Sequence, residues 1–200
     1  LGTQGRRHLI QRQIGAGVYQ PLDKSKLPNL TNMDPELMEK AAAYDPGNEH
    51  AIIWMWGTTG LGYNSQAVEQ RLGAEAPTDS WALVFDPKYA EKLADCGISM
   101  LDSSTDMLPS ALAYLGLDPI SSKPEDLEKA AALIQSVRPY VRYFHSSQYI
   151  SDLANGEICV AVGFSGDVFI ARDRAVQANN GIEIAYSVPQ EGAQQWFDMA

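Results

Sequence analysis

Cysteine and histidine are scarce in this chain of 200 residues: two Cys, at 96 and 159, and three His, at 8, 50 and 145. Neither cysteine has a Cys or His at ligand spacing, and the histidines form no H-E-x-x-H pattern, so no metal site is expected. No run of 18 apolar residues exists, which excludes a transmembrane helix within the sequence and any direct membrane insertion by one. The start LGTQGRRHLI lacks the apolar segment that follows the basic residues of a secretory signal. An opening Leu1 and a close at WFDMA suit a mature form or a fragment. Positive charge is also short: 15 Lys and Arg face 25 Asp and Glu, a net charge of −10. Such a surface repels nucleic acid and anionic membrane. It permits a cationic ligand without indicating one, since acidic soluble proteins are common.

Catalytic patterns are missing as well. GFSGD at 163–167 imitates the nucleophile elbow G-x-S-x-G, but its second glycine comes one place early, and Ser165 has no strained turn to sit on. GTTGLG at 57–62 reverses the dinucleotide fingerprint and lacks its strand-turn-helix context. No G-x-x-x-x-G-K-[ST] loop exists. His145, after VRYF, reads as a satisfied strand-end residue. The sequon at Asn29 matters only in a glycosylating pathway. An enzyme is therefore not expected, nor any cofactor.

What is present is an ordinary globular composition, 45% hydrophobic and 20% charged, enough to bury a sizeable core in one large domain or two lobes. DPELMEKAAAYD reads as a helix opened by Asp34 and Pro35. AIIWMWGTTGLGYNS reads as two extended stretches with a bend between Gly57 and Gly62. KPEDLEKAAALIQSVRPYV is the clearest helix, with Leu127, Ala131, Ile134 and Val137 on one face. TDMLPSALAYLG is a helix that tolerates Pro109 in its first turn. SSQYISDLANGE is a helix capped by Ser146 or Ser147, and GDVFIARDRAVQANNG a helix ending at Gly181. From residue 98 onward strand and helix alternate, which predicts an α/β fold with a mostly parallel sheet.

Ligands of such sheets sit outside the carboxyl ends of the strands. Asp106 follows the strand ISMLDSS, and Asp167 follows ICVAVGF with Phe164 and Phe169 on either side. A carboxylate in the first turn of a helix meets the positive end of its dipole. A carboxylate beside aromatic rings also suits an ammonium group. Both roles stand open for Asp167 on these residues alone. Cys96 and Cys159 sit at strand edges, and a disulfide and two buried thiols are equally compatible with that.

The segments AGVYQPLDKSKLPN, MWGTTGLGYN, RPYVRYFHSSQYISDLANGEICVAVGFSGDV and SVPQEGA closely resemble the periplasmic polyamine-binding proteins that feed putrescine and spermidine to ABC transporters. The resemblance runs from Leu9 to Ala200. It implies an α/β, type II periplasmic-binding-protein clamshell of two lobes, with TTGLGYN and AYSVPQEG as the crossovers. Residues 1–57 would be part of lobe 1, 58–187 lobe 2, and 188–200 the return crossover. Carried over by position, the ligand carboxylates fall on Asp106, Asp167 and Asp198, and the aromatic walls on Phe164 and Trp196. Asp106 stands where putrescine-type members have Glu, and Phe164 where they usually have Trp, which implies a looser site. Cys96 and Cys159 match a family pair that forms a disulfide. The opening LGTQGRR departs from the family's first strands, and the part beyond FDMA is missing, so lobe 1 is expected to be incomplete. The resemblance further implies a polyamine ligand, an ABC transporter permease in the inner membrane as partner, and a periplasmic location. A polyamine sensor signalling to a membrane protein and a truncated remnant that does not bind are the alternatives.

Overall fold

The computed structural model describes residues 7–200, with only the backbone given for Arg7 and His8; the opening LGTQGR, on which the departure from the family rests, lies outside them. The described chain divides into two units, one of residues 58–194 and one of residues 7–57 with 195–200.

In the smaller unit, α1 (Arg7–Gly15) is followed by two 3-10 turns and by α2 (Pro35–Ala42). Asp34 caps α2 by accepting from the N–H groups of Glu36 and Leu37, as a carboxylate ahead of a Pro-initiated helix should. β1 (Ile53–Asn64) begins in this unit, and β6 (Gln195–Met199) pairs with it. Ile52 and Ala200 exchange both backbone hydrogen bonds at 2.8 Å. The core here is small: Ala41, Ile53 and Phe197 are buried, with Met33, Leu37, Met38 and Met199 against them. Trp54, Met55 and Trp56 remain 74%, 44% and 49% exposed.

The larger unit contains the rest of β1, then α3 (Ser65–Leu72), α4 (Ala82–Phe85), α5 (Pro87–Leu93), β2 (Ile98–Met100), α6 (Ser104–Tyr114), α7 (Pro124–Val137), β3 (Val141–Phe144), α8 (Tyr149–Asn155), β4 (Val160–Phe164), α9 (Ser165–Ala178) and β5 (Ile184–Ser187). Its strands lie in the order β3-β2-β4-β1-β5. β2 runs parallel to β3 and β4, whereas β1 runs antiparallel to both β4 and β5. The sheet is therefore mixed, not mostly parallel: β1 enters from the other unit and inserts against the direction of β4. Helices cover a core that includes Leu61, Trp81, Phe85, Ile98, Met100, Leu153 and Val162. Cys96 and Cys159 form a disulfide with Cα atoms 5.4 Å apart, tying the end of α5 to the start of β4. The segment before β6 is pinned by Trp81, whose indole Nε1–H donates to Gly192 O at 2.8 Å.

Four local expectations are corrected. β1 is one unbroken strand with no bend at its glycines. Gly60 marks a close approach instead, since a Cβ there would meet Tyr186 Oη at 2.6 Å. Pro109 lies inside α6, beyond the first turn. Proline has no N–H to give the carbonyl four residues back, and Thr105 O accepts instead from Gln194 Nε2 at 2.9 Å. On α7 the buried alanine is Ala130, while Ala131 is exposed. α9 ends at Ala178, with Asn179 in the left-handed conformation, and not at Gly181.

Candidate functional site

Two helices of the larger unit begin beside one another because their preceding strands, β2 and β4, are parallel neighbours. Each brings a carboxylate in its first turn, Asp106 on α6 and Asp167 on α9. β1 supplies a third element at the same sheet end, since Thr59 stands opposite Phe164 in the antiparallel register. The placement follows from topology: the carboxyl ends of parallel strands and the helix N-termini beyond them gather donors and positive dipole ends at one edge.

The carboxylates are held by hydroxyl groups. Asp106 Oδ1 accepts from Thr59 Oγ1 at 3.2 Å, and Oδ2 from Ser103 Oγ at 2.5 Å. Asp167 Oδ2 accepts from the Tyr149 phenol at 2.7 Å. The same phenol oxygen accepts from the Phe164 N–H at 3.0 Å. Among the described residues no Lys or Arg lies within ion-pair distance of Asp106 or Asp167, while both side chains keep partial access to solvent. Carboxylates whose described partners are neutral hydroxyls keep their charge uncompensated and retain acceptor capacity.

Asp167 makes no side-chain cap to the first N–H groups of α9. Its position in that turn still lets it meet the helix dipole. Phe164, half-buried, ends β4 and opens α9. Phe169 is engaged elsewhere, edge-on to Tyr186 at 5.6 Å and under the Arg172 guanidinium at 5.0 Å. Burial pushes the Tyr186 phenol up to about 12, so it stays protonated and bridges Thr58 through its Oγ1 at 2.7 Å and its carbonyl at 3.0 Å.

Trp196 and Asp198 belong to the smaller unit, two residues apart on β6 and hence on one face of it. Asp198 lines a cavity of about 150 Å³ together with Leu9, Tyr19, Tyr44 and Phe197. Of the five ligand residues expected, Asp106, Phe164 and Asp167 thus share one unit, and Trp196 and Asp198 the other. Thr59, Ser103 and Tyr149 were missed by sequence reasoning. Tyr149 is fully buried at the start of a helix and reads in sequence as plain core. Ser103, three residues before Asp106, had the only readable signal, the spacing of a helix start.

The turn into α8 also differs from expectation. His145 Nδ1 accepts from the N–H groups of Ser147 and Gln148, and Ser146 Oγ donates to Asp102 instead of capping the helix. Among the described residues no cluster of His, Cys, Asp and Glu could hold a metal ion, and no helix is long and apolar enough to cross a membrane.

Comparison with known proteins finds relatives of the chain as a whole. The chain is 55% identical over 190 residues to the putrescine-binding periplasmic protein SpuD of Pseudomonas aeruginosa, covering 95% of this chain and 52% of that protein. It is 51% identical over 191 residues to the putrescine-binding periplasmic protein PotF of Escherichia coli, covering 95% and 52%. Among solved structures, the spermidine/putrescine ABC transporter substrate-binding protein PotD of Streptococcus pneumoniae superposes with a TM-score of 0.76 at 25% identity, covering 96% of this chain and 54% of that one. The chain therefore spans about half the length of the curated relatives it matches. Its fold is that of the periplasmic binding proteins. With residues 1–200 matching the bacterial extracellular solute-binding protein family, the chain belongs to that family.

Proposed function

We propose that this chain binds polyamines, putrescine or spermidine, as a periplasmic receptor that delivers them to an ABC transporter permease. The observation that carries the reading is the pair Asp106 and Asp167, oriented by hydroxyls and lacking a basic partner among the described residues, at the carboxyl ends of parallel neighbouring strands. A polyamine separates ammonium groups by methylenes, so carboxylates suit its ends and an aromatic face such as Phe164 its stem. Trp196 and Asp198, on β6 of the smaller unit, are further ligand residues in this reading. Residues 58–187 then correspond to one lobe, residues 1–57 to part of the other, and 188–200 to the return crossover between them. Similarity to proteins named for putrescine binding supports the ligand class, and their periplasmic naming the location.

Both carboxylates of the larger unit are partly exposed, and an exposed ion pair contributes only about 0–1 kcal/mol. The expected affinity of the 200-residue chain for putrescine is therefore in the millimolar range, about −4 kcal/mol. Titration followed by amide and side-chain resonances should fit a saturable one-site isotherm with a millimolar midpoint and move Asp106, Phe164 and Asp167. A response that never saturates, or that sodium chloride reproduces, would discard the reading. Micromolar binding would refute the weak-site argument while keeping the ligand.

A further inference from the structure

Among the described residues, Asp106 is steadied by two hydroxyls, whereas the one hydroxyl on Asp167 belongs to Tyr149. That phenol does two things at once. An amide N–H can only donate and an ionised carboxylate can only accept, so the phenol proton must point to Asp167 while its lone pair receives Phe164 N–H. The direction of the relay, Phe164 N–H to Tyr149 Oη–H to Asp167 Oδ2, is thereby fixed. Burial in the first place, and then the neighbouring carboxylate, push the phenol's titration upward, which keeps the proton on the oxygen.

The ring cannot drift. A Cβ at position 163 would lie 2.5 Å from Tyr149 Cε2, so β4 gives up a side chain where the ring rests on its backbone. The helix carrying Tyr149 is fastened independently, because Asp152 accepts from Tyr143 Oη at 2.6 Å and Gln148 Nε2 at 3.2 Å. We infer that Tyr149 is a positioning residue of the ligand site: one fully buried phenol sets the side-chain rotamer of Asp167 and the backbone that carries Phe164, leaving Asp167 Oδ1 to the ammonium group. The ligand part of this inference rests on the polyamine reading above; the positioning part does not.

The test uses the isotope-labelled 200-residue chain as wild type, Tyr149→Phe, Asp167→Asn, the double variant, and Tyr143→Phe as a control. The control removes a phenol–carboxylate bond that fastens α8 without touching Asp167, and so reports the effect of loosening the helix alone. In the free chain, three-bond couplings should show a single χ1 rotamer for Asp167, averaging in Tyr149→Phe but not in Tyr143→Phe. Unchanged Asp167 couplings in Tyr149→Phe would overturn the inference whether or not ligand binds. A readout without substitution is the Tyr149 hydroxyl proton, expected to exchange slowly and to cross-relax with the Phe164 amide; its absence would also count against the relay. With putrescine, Tyr149→Phe should weaken affinity by up to about fivefold, the most that a partly exposed ion pair worth about 0–1 kcal/mol can lose. The double variant should then be no weaker than Asp167→Asn. Multiplying losses would show that Tyr149 acts through the packing of the fold and not through Asp167. A wild-type chain with no saturable response would sink the polyamine reading, and the couplings would still decide the role of Tyr149.

Discussion

Asp45 has no exposed surface, yet it carries a charge. Its Oδ2 accepts from the N–H groups of His50 and Ala51 at 2.7 and 3.0 Å, and its Oδ1 faces His50 Nδ1 at 2.9 Å. Burial alone pushes such a carboxyl upward, but the hydrogen bonds from His50 and Ala51 outweigh it and hold it below its ordinary 3.8. A carboxyl depressed on folding stabilises the native state above its unfolded value, and the stabilisation is lost as pH falls through the folded value. Asp45→Asn is therefore expected to cost about 1–3 kcal/mol near neutral pH, the scale of leaving buried donors poorly matched. The difference from wild type should shrink as pH drops below 3.8. Urea denaturation at pH 7 and at successive acid values measures it, and a constant difference across that range would contradict the argument. Nothing in YDPGNEHA announces this cluster, since an Asp before Pro-Gly reads as an ordinary turn residue.

At the scale of elements, the Cys96–Cys159 disulfide joins α5 to β4 across a sequence separation of 63. Closing a loop of that length in the unfolded chain removes entropy equivalent to about 4 kcal/mol. Reduction, or Cys96→Ala with Cys159→Ala, should lower the urea midpoint accordingly, while thiol titration of the unreduced, denatured chain should find no free thiol. Two titratable thiols would reject the bond. The residues alone left this pair undecided, because sheet neighbours cannot be identified before the strand order is known. The alternation of strand and helix did reveal where Asp106 and Asp167 lie, through the rule that parallel strands end at ligand sites. It did not reveal that β1 runs antiparallel, since direction within a sheet leaves no trace in local pattern. On α7 adjacent alanines carry the same hydrophobicity, and the register slipped from Ala130 to Ala131. Trp196 and Asp198 came from family resemblance only. Tyr149 stayed hidden because its partners are 15 and 18 residues away, at no periodic spacing.

For the molecule as a whole, the sequence matches relatives about twice as long, and among the described residues the packed cluster of the smaller unit centres on Ala41, Ile53 and Phe197. Trp54, Met55 and Trp56 are exposed in succession, so both faces of that part of β1 present apolar surface. Contiguous apolar surface of this kind favours association. Sedimentation velocity should find a mass that rises with concentration, and Trp54→Ser with Trp56→Ser should return the chain to a monomer. A wild-type monomer at every accessible concentration would remove the argument. The larger unit closes in another way. Gln194 reaches across 89 residues to the carbonyl that Pro109 leaves open on Thr105, while its own carbonyl receives Thr59 N–H at 2.9 Å. During synthesis from the N-terminus at about 5–20 residues per second, that carbonyl waits roughly 4–18 seconds for its donor. The partner that Pro109 denies to Thr105 O is thus supplied only when the segment just before β6 emerges, long after α6 itself.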